Sequence, residues 1–224
     1  MKVKNSNLIL IVFFFITSFT ALGTSTYKGD DVYELWRGCG LENKLTFEIF
    51  KIAIKGSARI ENLTKKNVIT IIDFSKSSTE KRFFVIDLEN KKLIFNCFVA
   101  HGKNSGEYVA QNFSNKPESL QSSLGFYITA ETYIGEHGYS LRLDGIEKGI
   151  NDNARTREIV IHGAEYVSEE FIKSYGRLGR SWGCPALPLD LSKEIIDKIA
   201  GGSCLFIYGK DDFYKANSVF LKEK

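Results

Sequence analysis

Beyond residue 68 the chain becomes a succession of short β-branched and aromatic runs separated by turn residues, and this texture constrains the fold more than any other feature. Residues 68–73, 82–87 and 93–100 are three such runs, divided by the polar stretch 75–80 and by Glu89-Asn90-Lys91, and their close spacing predicts a β-meander. Residues 102–121 are polar, contain Gly106 and Pro117, and are expected to form one long loop. Strand patterns restart at 125–132 and 139–143, with a turn at Asp144-Gly145, and again at 158–162. Short helices are expected at 168–174 and 191–200; the second carries Ile195, Ile196 and Ile199 and is stopped by Gly201-Gly202 before a last strand. Many strands, few helices and no βαβ alternation predict a mainly β sandwich or barrel with helices attached.

Ahead of this region, residues 41–54 place Leu45, Ile49, Phe50, Ile52 and Ile54 at helical spacing, an amphipathic helix ended by Gly56, while residues 30–40 read as a polar, glycine-containing connector. The first 23 residues differ from both. Lys2 and Lys4 precede an apolar run at 8–19 interrupted only by Thr17 and Ser18, and Ala21-Leu22-Gly23 supplies small residues at a cleavage point, the pattern of a secretory signal peptide. The apolar stretch 8–22 has 15 residues, short of the roughly 20 that a spanning helix needs, so cleavage is favoured over an uncleaved anchor. No cysteine stands at the cut to take a lipid. The expected organisation is a signal peptide at 1–23, a linker and helical extension at 24–65, one β domain at 66–209 and a polar tail at 210–224. Such a protein works outside the cytoplasm, in the periplasm or cell wall.

With 43% apolar and 25% charged residues the chain is not disordered throughout. Its net charge of +3 leaves nucleic-acid binding without an electrostatic footprint, and membrane contact is limited to the signal segment if that is retained. Four cysteines, at 39, 97, 184 and 204, would allow an exported chain two disulfides in three pairings. Cys97 and Cys204 lie in apolar strand runs and read as small hydrophobes.

Cys184 sits in a different setting. Ile161-His162-Gly163-Ala164 is followed downstream by Ser181-Trp182-Gly183-Cys184-Pro185. A thiol is mostly protonated at neutral pH and needs a basic or cationic neighbour to become a nucleophile. His162 is suited to take that proton and return it to an amine. Gly183 lets the chain turn sharply so that backbone N–H groups can face a developing oxyanion, and Pro185 fixes the chain immediately after. The other histidines read differently: His101 ends a strand and is assigned to structure, and His137, in Gly135-Glu136-His137-Gly138, to a solvated turn. Three scattered histidines offer no zinc-ligand spacing, and no cofactor is expected.

The His-Gly followed by Ser-x-Gly-Cys resembles the signature of the bacterial murein L,D-transpeptidases. The likeness extends to Ile71-Ile72-Asp73-Phe74-Ser75-Lys76, to Phe84-Val85-Ile86-Asp87, to Phe98-Val99-Ala100-His101-Gly102-Lys103, to Ser122-Ser123-Leu124-Gly125-Phe126-Tyr127-Ile128 and to the closing helix and strand at 189–208, covering roughly residues 66–209. Trp182 stands where the family usually has His, and Ala186 where it has Arg or Asn, so Gly179-Arg180-Ser181-Trp182-Gly183-Cys184-Pro185-Ala186-Leu187 looks like a distinct branch.

The resemblance implies that Cys184 attacks the carbonyl between the third stem-peptide residue and the terminal D-alanine of peptidoglycan, expels D-alanine and holds a thioester that an amine or water resolves. It implies that the Gly163 carbonyl orients His162 and that the Gly183 and Cys184 amides form the oxyanion hole; the family's ligand contacts at the Trp182 and Ala186 positions do not carry over, and the residues expected to contact substrate here are Ser181, Trp182 and Arg180, with Arg180 expected to replace the lost positive charge. Two alternatives remain: a carboxypeptidase or amidase with the same site, and an exported wall-binding domain with Cys184 in a disulfide. With Cys184 as nucleophile, at most one bridge is left among the other three cysteines.

Overall fold

The three runs ahead of the long loop form an antiparallel meander of β1 (Lys65–Asp73), β2 (Phe83–Asp87) and β3 (Lys92–Cys97) in the computed structural model, which describes residues 29–222. The segment 1–23, read as signal or anchor, lies outside them; among the described residues no helix is long and apolar enough to cross a membrane. After the loop come β4 (Gly125–Gly135), β5 (Gly138–Gly145), β6 (Val160–Ala164), β7 (Ala186–Pro188) and β8 (Ser203–Tyr208). The eight strands make one sheet in the order β3-β2-β1-β8-β4-β5-β6-β7, antiparallel except for the β1–β8 and β6–β7 pairs.

The ends of this sheet meet. The chain leaving β3 pairs Ala100 with Ala186 of β7, Ala100 N–H donating at 2.8 Å and Ala186 N–H returning at 3.4 Å, so the sheet nearly closes into a barrel. Closure removes the exposed edges that an open sheet would present. The mainly β expectation therefore holds. All five residues of β2 are buried, which is why that strand reads as a continuous apolar run without alternation. The helix α4 (Leu189–Ile199) buries Ser192, Ile195, Ile196 and Ile199 on one face, and α3 (Glu169–Tyr175) is capped by Ser168 Oγ, which accepts from Phe171 N–H. Three residues including a proline carry too little pattern to reveal β7 in the sequence.

Several expectations are corrected. Residues 30–40 are not a connector: Gly29–Gly38 is α1, with Val32 and Leu35 buried one turn apart and Trp36 Nε1 donating to Leu45 O at 2.8 Å. The helix expected over 41–54 is α2 (Phe47–Ser57), and Leu41 and Leu45 are buried in the turns before it. Both helices join the same hydrophobic core as the strands. Gly56 is the penultimate residue of α2, one short of the helix end, and a Cβ there would lie 2.0 Å from the Phe126 ring, where helix meets sheet. Asp144 and Gly145 still pair with Ile128 and Tyr127 within β5 and form no turn.

The polar tail contains α5 (Asp212–Asn217), docked by a buried carboxylate. Glu147 accepts from Phe126 N–H at 2.8 Å, from Tyr214 Oη–H at 3.1 Å and from the Ser218 hydroxyl. Burial pushes its carboxyl up, and these donors oppose the shift. One acid with three donors from two segments was invisible in composition, because each partner alone is an ordinary polar residue.

A second buried charge organises the chain around the start of β2. Arg82 is fully buried; Nε and Nη2 donate to Val99 O at 3.1 and 2.9 Å, Nη1 to Lys76 O at 2.8 Å, and Nη2 lies 2.7 Å from His101 Nδ1. Its guanidinium stands 4.9 Å from the Phe74 ring centroid. His101 Nε2 lies 3.1 Å from Gly106 O. A guanidinium only donates and a carbonyl only accepts, so this imidazole is neutral and carries its proton on Nε2. Burial and the adjacent Arg82 lower its pKa to about 3.

Because His101 in the fold binds a proton less readily than in the unfolded chain, its stabilisation is complete above pH about 6.5 and is lost as pH falls toward 3. Urea midpoints measured from pH 6.5 to 5 are expected to fall with acid, and His101→Gln is expected to remove about 1.4 kcal/mol per pH unit from that slope. An unchanged slope would refute the assignment.

Candidate active site

The parallel pairing of β6 with β7 sets His162 opposite Ala186, and Cys184 precedes Ala186 by two residues in the turn entering β7. The Cys184 Sγ rests on the start of β6, accepting from Val160 N–H at 3.5 Å and donating to Glu158 O at 3.5 Å. Among the described residues these are the hydrogen bonds of Sγ; none goes to the His162 ring. His162 Nδ1 lies 3.0 Å from Gly163 O. Since a carbonyl only accepts, Nδ1 carries the proton and the Nε2 lone pair is free to act as a base.

Burial lowers the pKa of His162, with the bond to Gly163 opposing the shift, so the ring is neutral at neutral pH. The Cys184 thiol is pushed up by burial, while the Val160 N–H and the Arg157 guanidinium pull it down. The resting pair is therefore thiol and imidazole, not thiolate and imidazolium.

The turn that carries Cys184 is braced from several sides. Ser181 Oγ accepts from Gly183 N–H at 3.1 Å and donates to Cys184 O at 2.6 Å; Ser181 N–H donates to His101 O at 3.0 Å, and Lys103 N–H to Ser181 O at 2.8 Å. Ser122 Oγ donates to Gly183 O at 3.1 Å. Gly183 has φ +131°, and a Cβ on it would meet Gln121 O at 2.8 Å, so only glycine fits.

The site residues singled out in the sequence separate accordingly. Ser181 is buried and its hydroxyl faces into the turn, so the structure gives it a bracing place and not one on the cleft. The Gly183 amide, expected to help form an oxyanion hole, is already bonded to Ser181. Arg180 Nη1 donates to Lys103 O at 3.2 Å and Gly106 O at 3.3 Å, holding the long loop. Trp182 is 74% exposed with Lys103 Nζ 5.9 Å from its ring centroid, leaving an aromatic surface two residues from Cys184.

Two residues were missed. Arg157 reaches from the chain before β6 to the long loop, its Nη1 donating to Ser114 O at 2.7 Å and Ser123 Oγ at 3.3 Å and its Nη2 to Gln121 O at 2.6 Å and Ser119 Oγ at 3.2 Å. It is the cation that acts on the Cys184 thiol, and no spacing rule marks it. His137 is exposed in the β4–β5 turn as expected, but its ring stacks on that of His162, centroids 4.4 Å apart at 22°.

All four cysteines are free thiols, so the structure gives no support to a bridged Cys184. Burial pushes the thiols of Cys39 and Cys97 up to about 11 and about 12, and that of Cys204 upward. Among the described residues no group of three or more His, Cys, Asp or Glu is placed to hold a metal.

Iodoacetamide alkylation of Cys184, followed by peptide mass mapping, is expected to rise steadily through the alkaline range with no plateau at pH 5–6; a flat acidic plateau would show a preformed thiolate instead. Arg157→Gln is expected to slow that alkylation at pH 8 by a few-fold, about what loss of one nearby charge does to a thiol, with Arg157→Lys closer to the parent.

A profile of the L,D-transpeptidase catalytic domain matches residues 41–208, a span that includes α2. No curated protein sequence matches the chain significantly. Among solved structures it is similar to L,D-transpeptidase 1 of Mycobacterium tuberculosis, at 13% identity over 64% of this chain and 62% of that one with a TM-score of 0.36. It is similar to the helical cell shape determining protein Pgp2 of Campylobacter jejuni, at 14% identity over 65% and 48% with a TM-score of 0.44. A fused Zn-dependent amidase/peptidase/peptidoglycan-binding domain-containing protein of Clostridium acetobutylicum gives 17% identity over 80% and 62% with a TM-score of 0.41. The chain spans less than two thirds of the length of each of these structures. The profile match covers most of the sequence, and on it the chain belongs to the L,D-transpeptidase catalytic-domain family.

Proposed function

We propose that this protein is an exported cysteine acyltransferase acting on peptidoglycan stem peptides, with Cys184 as nucleophile and His162 as general base. The observation that carries the reading is the His162 tautomer: its Nδ1 proton is held by Gly163 O, which leaves Nε2 as a base on β6, the strand paired with the β7 that the Cys184 turn enters. Family membership supports the substrate class.

In the proposed reaction the Cys184 proton passes to His162 Nε2 as Sγ bonds to the carbonyl carbon of the third stem-peptide residue. The C–N bond to D-alanine then breaks, and the departing amine takes the proton from His162. An acceptor amine next gives a proton to His162 and attacks the thioester, and Sγ leaves and is reprotonated. The oxyanion formed at each addition faces the Cys184 amide, because the Gly183 amide is engaged by Ser181. Neutral reactants suit this sequence: the thiol is deprotonated as it attacks, so no resting thiolate is needed. Ser181 and Arg180 shape the turn and loop, and Trp182 offers its exposed face to the donor.

Incubation of purified protein with disaccharide tetrapeptides is expected to release D-alanine and yield cross-linked dimers, read by mass spectrometry. Cys184→Ala is expected to abolish the reaction and His162→Ala to reduce it by about 10²–10⁴-fold. Tripeptides without dimers would assign water as the acceptor, and no turnover with an intact Cys184 thiol would overturn the reading. Export through residues 1–23 belongs to the same proposal, and fractionation of cells producing the full chain checks it.

A further inference from the structure

The tip of the β4–β5 hairpin lies against the imidazole to which the proposed mechanism gives the base's role. Gly135 pairs with Gly138, so Glu136 and His137 are the two central residues of a two-residue turn. A turn this short cannot slip. β5 pairs directly with β6, Ser140 opposite His162, so backbone hydrogen bonds hold the hairpin tip beside the ring of His162. The two imidazoles face each other at 4.4 Å and 22°, a nearly parallel stack. One ring is exposed and the other is buried.

We propose that His137 is a positioning residue for His162: its ring covers the outer face of the base and keeps water from it, while Gly163 O holds the ring's edge. This rests on the reading of His162 as general base. Two contacts from different directions define the plane of the imidazole, since one hydrogen bond alone would let the ring tilt about its axis. The groups around the ring can be named from each side. The hairpin brings His137, with Glu136 beside it; the turn entering β7 brings Cys184, two residues before the Ala186 that pairs with His162; and α4 brings Leu189 and Ser192 toward Gly163, while among its charged residues Lys193 and Asp197 are paired with each other at 2.6 Å. His137 is thus the ionisable group in ring contact with the base. Burial contributes most to the lowered pKa of His162, and the neighbouring His137 adds to it.

The decisive comparison is His137→Ala, which removes the cover, against His137→Phe, which keeps an aromatic face without a titrating group. Two readouts are needed: nitrogen NMR titration of the His162 ring, and the pH profile of Cys184 acylation. His137→Ala is expected to move the His162 titration up toward pH 6.5 and to slow acylation at neutral pH by about two- to ten-fold, the worth of an aromatic contact. His137→Phe is expected to keep the parent rate and the low titration. A parent-like titration and rate in His137→Ala would overturn the proposal, as would His137→Phe behaving like His137→Ala. The NMR readout needs no turnover, so an upward shift in a protein inert toward tetrapeptides would refute the acyltransferase reading and leave His137 as the cover of His162.

Discussion

The buried guanidinium of Arg82 ties the rest of the site together. Moving such a charge from water to the interior costs several kcal/mol, which hydrogen bonds from its N–H groups must offset. The acceptors are Val99 O, Lys76 O and the His101 ring, so satisfying one side chain fixes the strand end that leaves β3. The same strand end supplies Ala100, which closes the barrel against β7, and His101 O, which accepts from Ser181 N–H. A charge introduced at β2 thus reaches the nucleophile turn through backbone hydrogen bonds. The device resembles a clamp, with a residue far from the chemistry deciding where the chemistry stands.

The turn at Cys184 is braced by groups other than those its sequence suggested. Trp182 occupies the position usual for His and is exposed, so that position adds no second imidazole to the thiol. Arg180 binds loop carbonyls, while the cation whose charge favours the thiolate is Arg157, opposed by the Glu158 carboxylate. Ser181 bonds to Gly183 and Cys184 simultaneously, bracing the turn from within. The electrostatic elements of a thiol site are present but drawn from different segments.

Much of the fold was legible because it rests on periodicity. The meander, the long loop, the helix with Ile195, Ile196 and Ile199 and the last strand all follow from runs and breakers. The errors fall where tertiary contacts override composition. Residues 30–40 look like a connector because only Val32, Leu35 and Cys39 are buried, too few to outweigh the polar residues among them. Gly56 stands one residue from the end of α2, and the sequence does not reveal the Phe126 ring that requires a glycine there. The tail looks free because Glu147, its anchor, lies 67 residues before Tyr214.

The sequence by itself determined the class of fold and singled out the pair of residues, Cys184 and His162, to which the proposal gives the chemistry. A cysteine set between glycine and proline, and a histidine followed by glycine, are local patterns whose meaning survives without coordinates. Only the tertiary structure decided the state of that pair: a neutral imidazole with its Nδ1 proton held by Gly163 O, a thiol resting on the start of β6, and two neighbours, Arg157 and His137, that no local pattern singled out. The physical reason is that protonation and charge depend on burial and on groups brought in from other strands, whereas strand and turn preferences are written in consecutive residues.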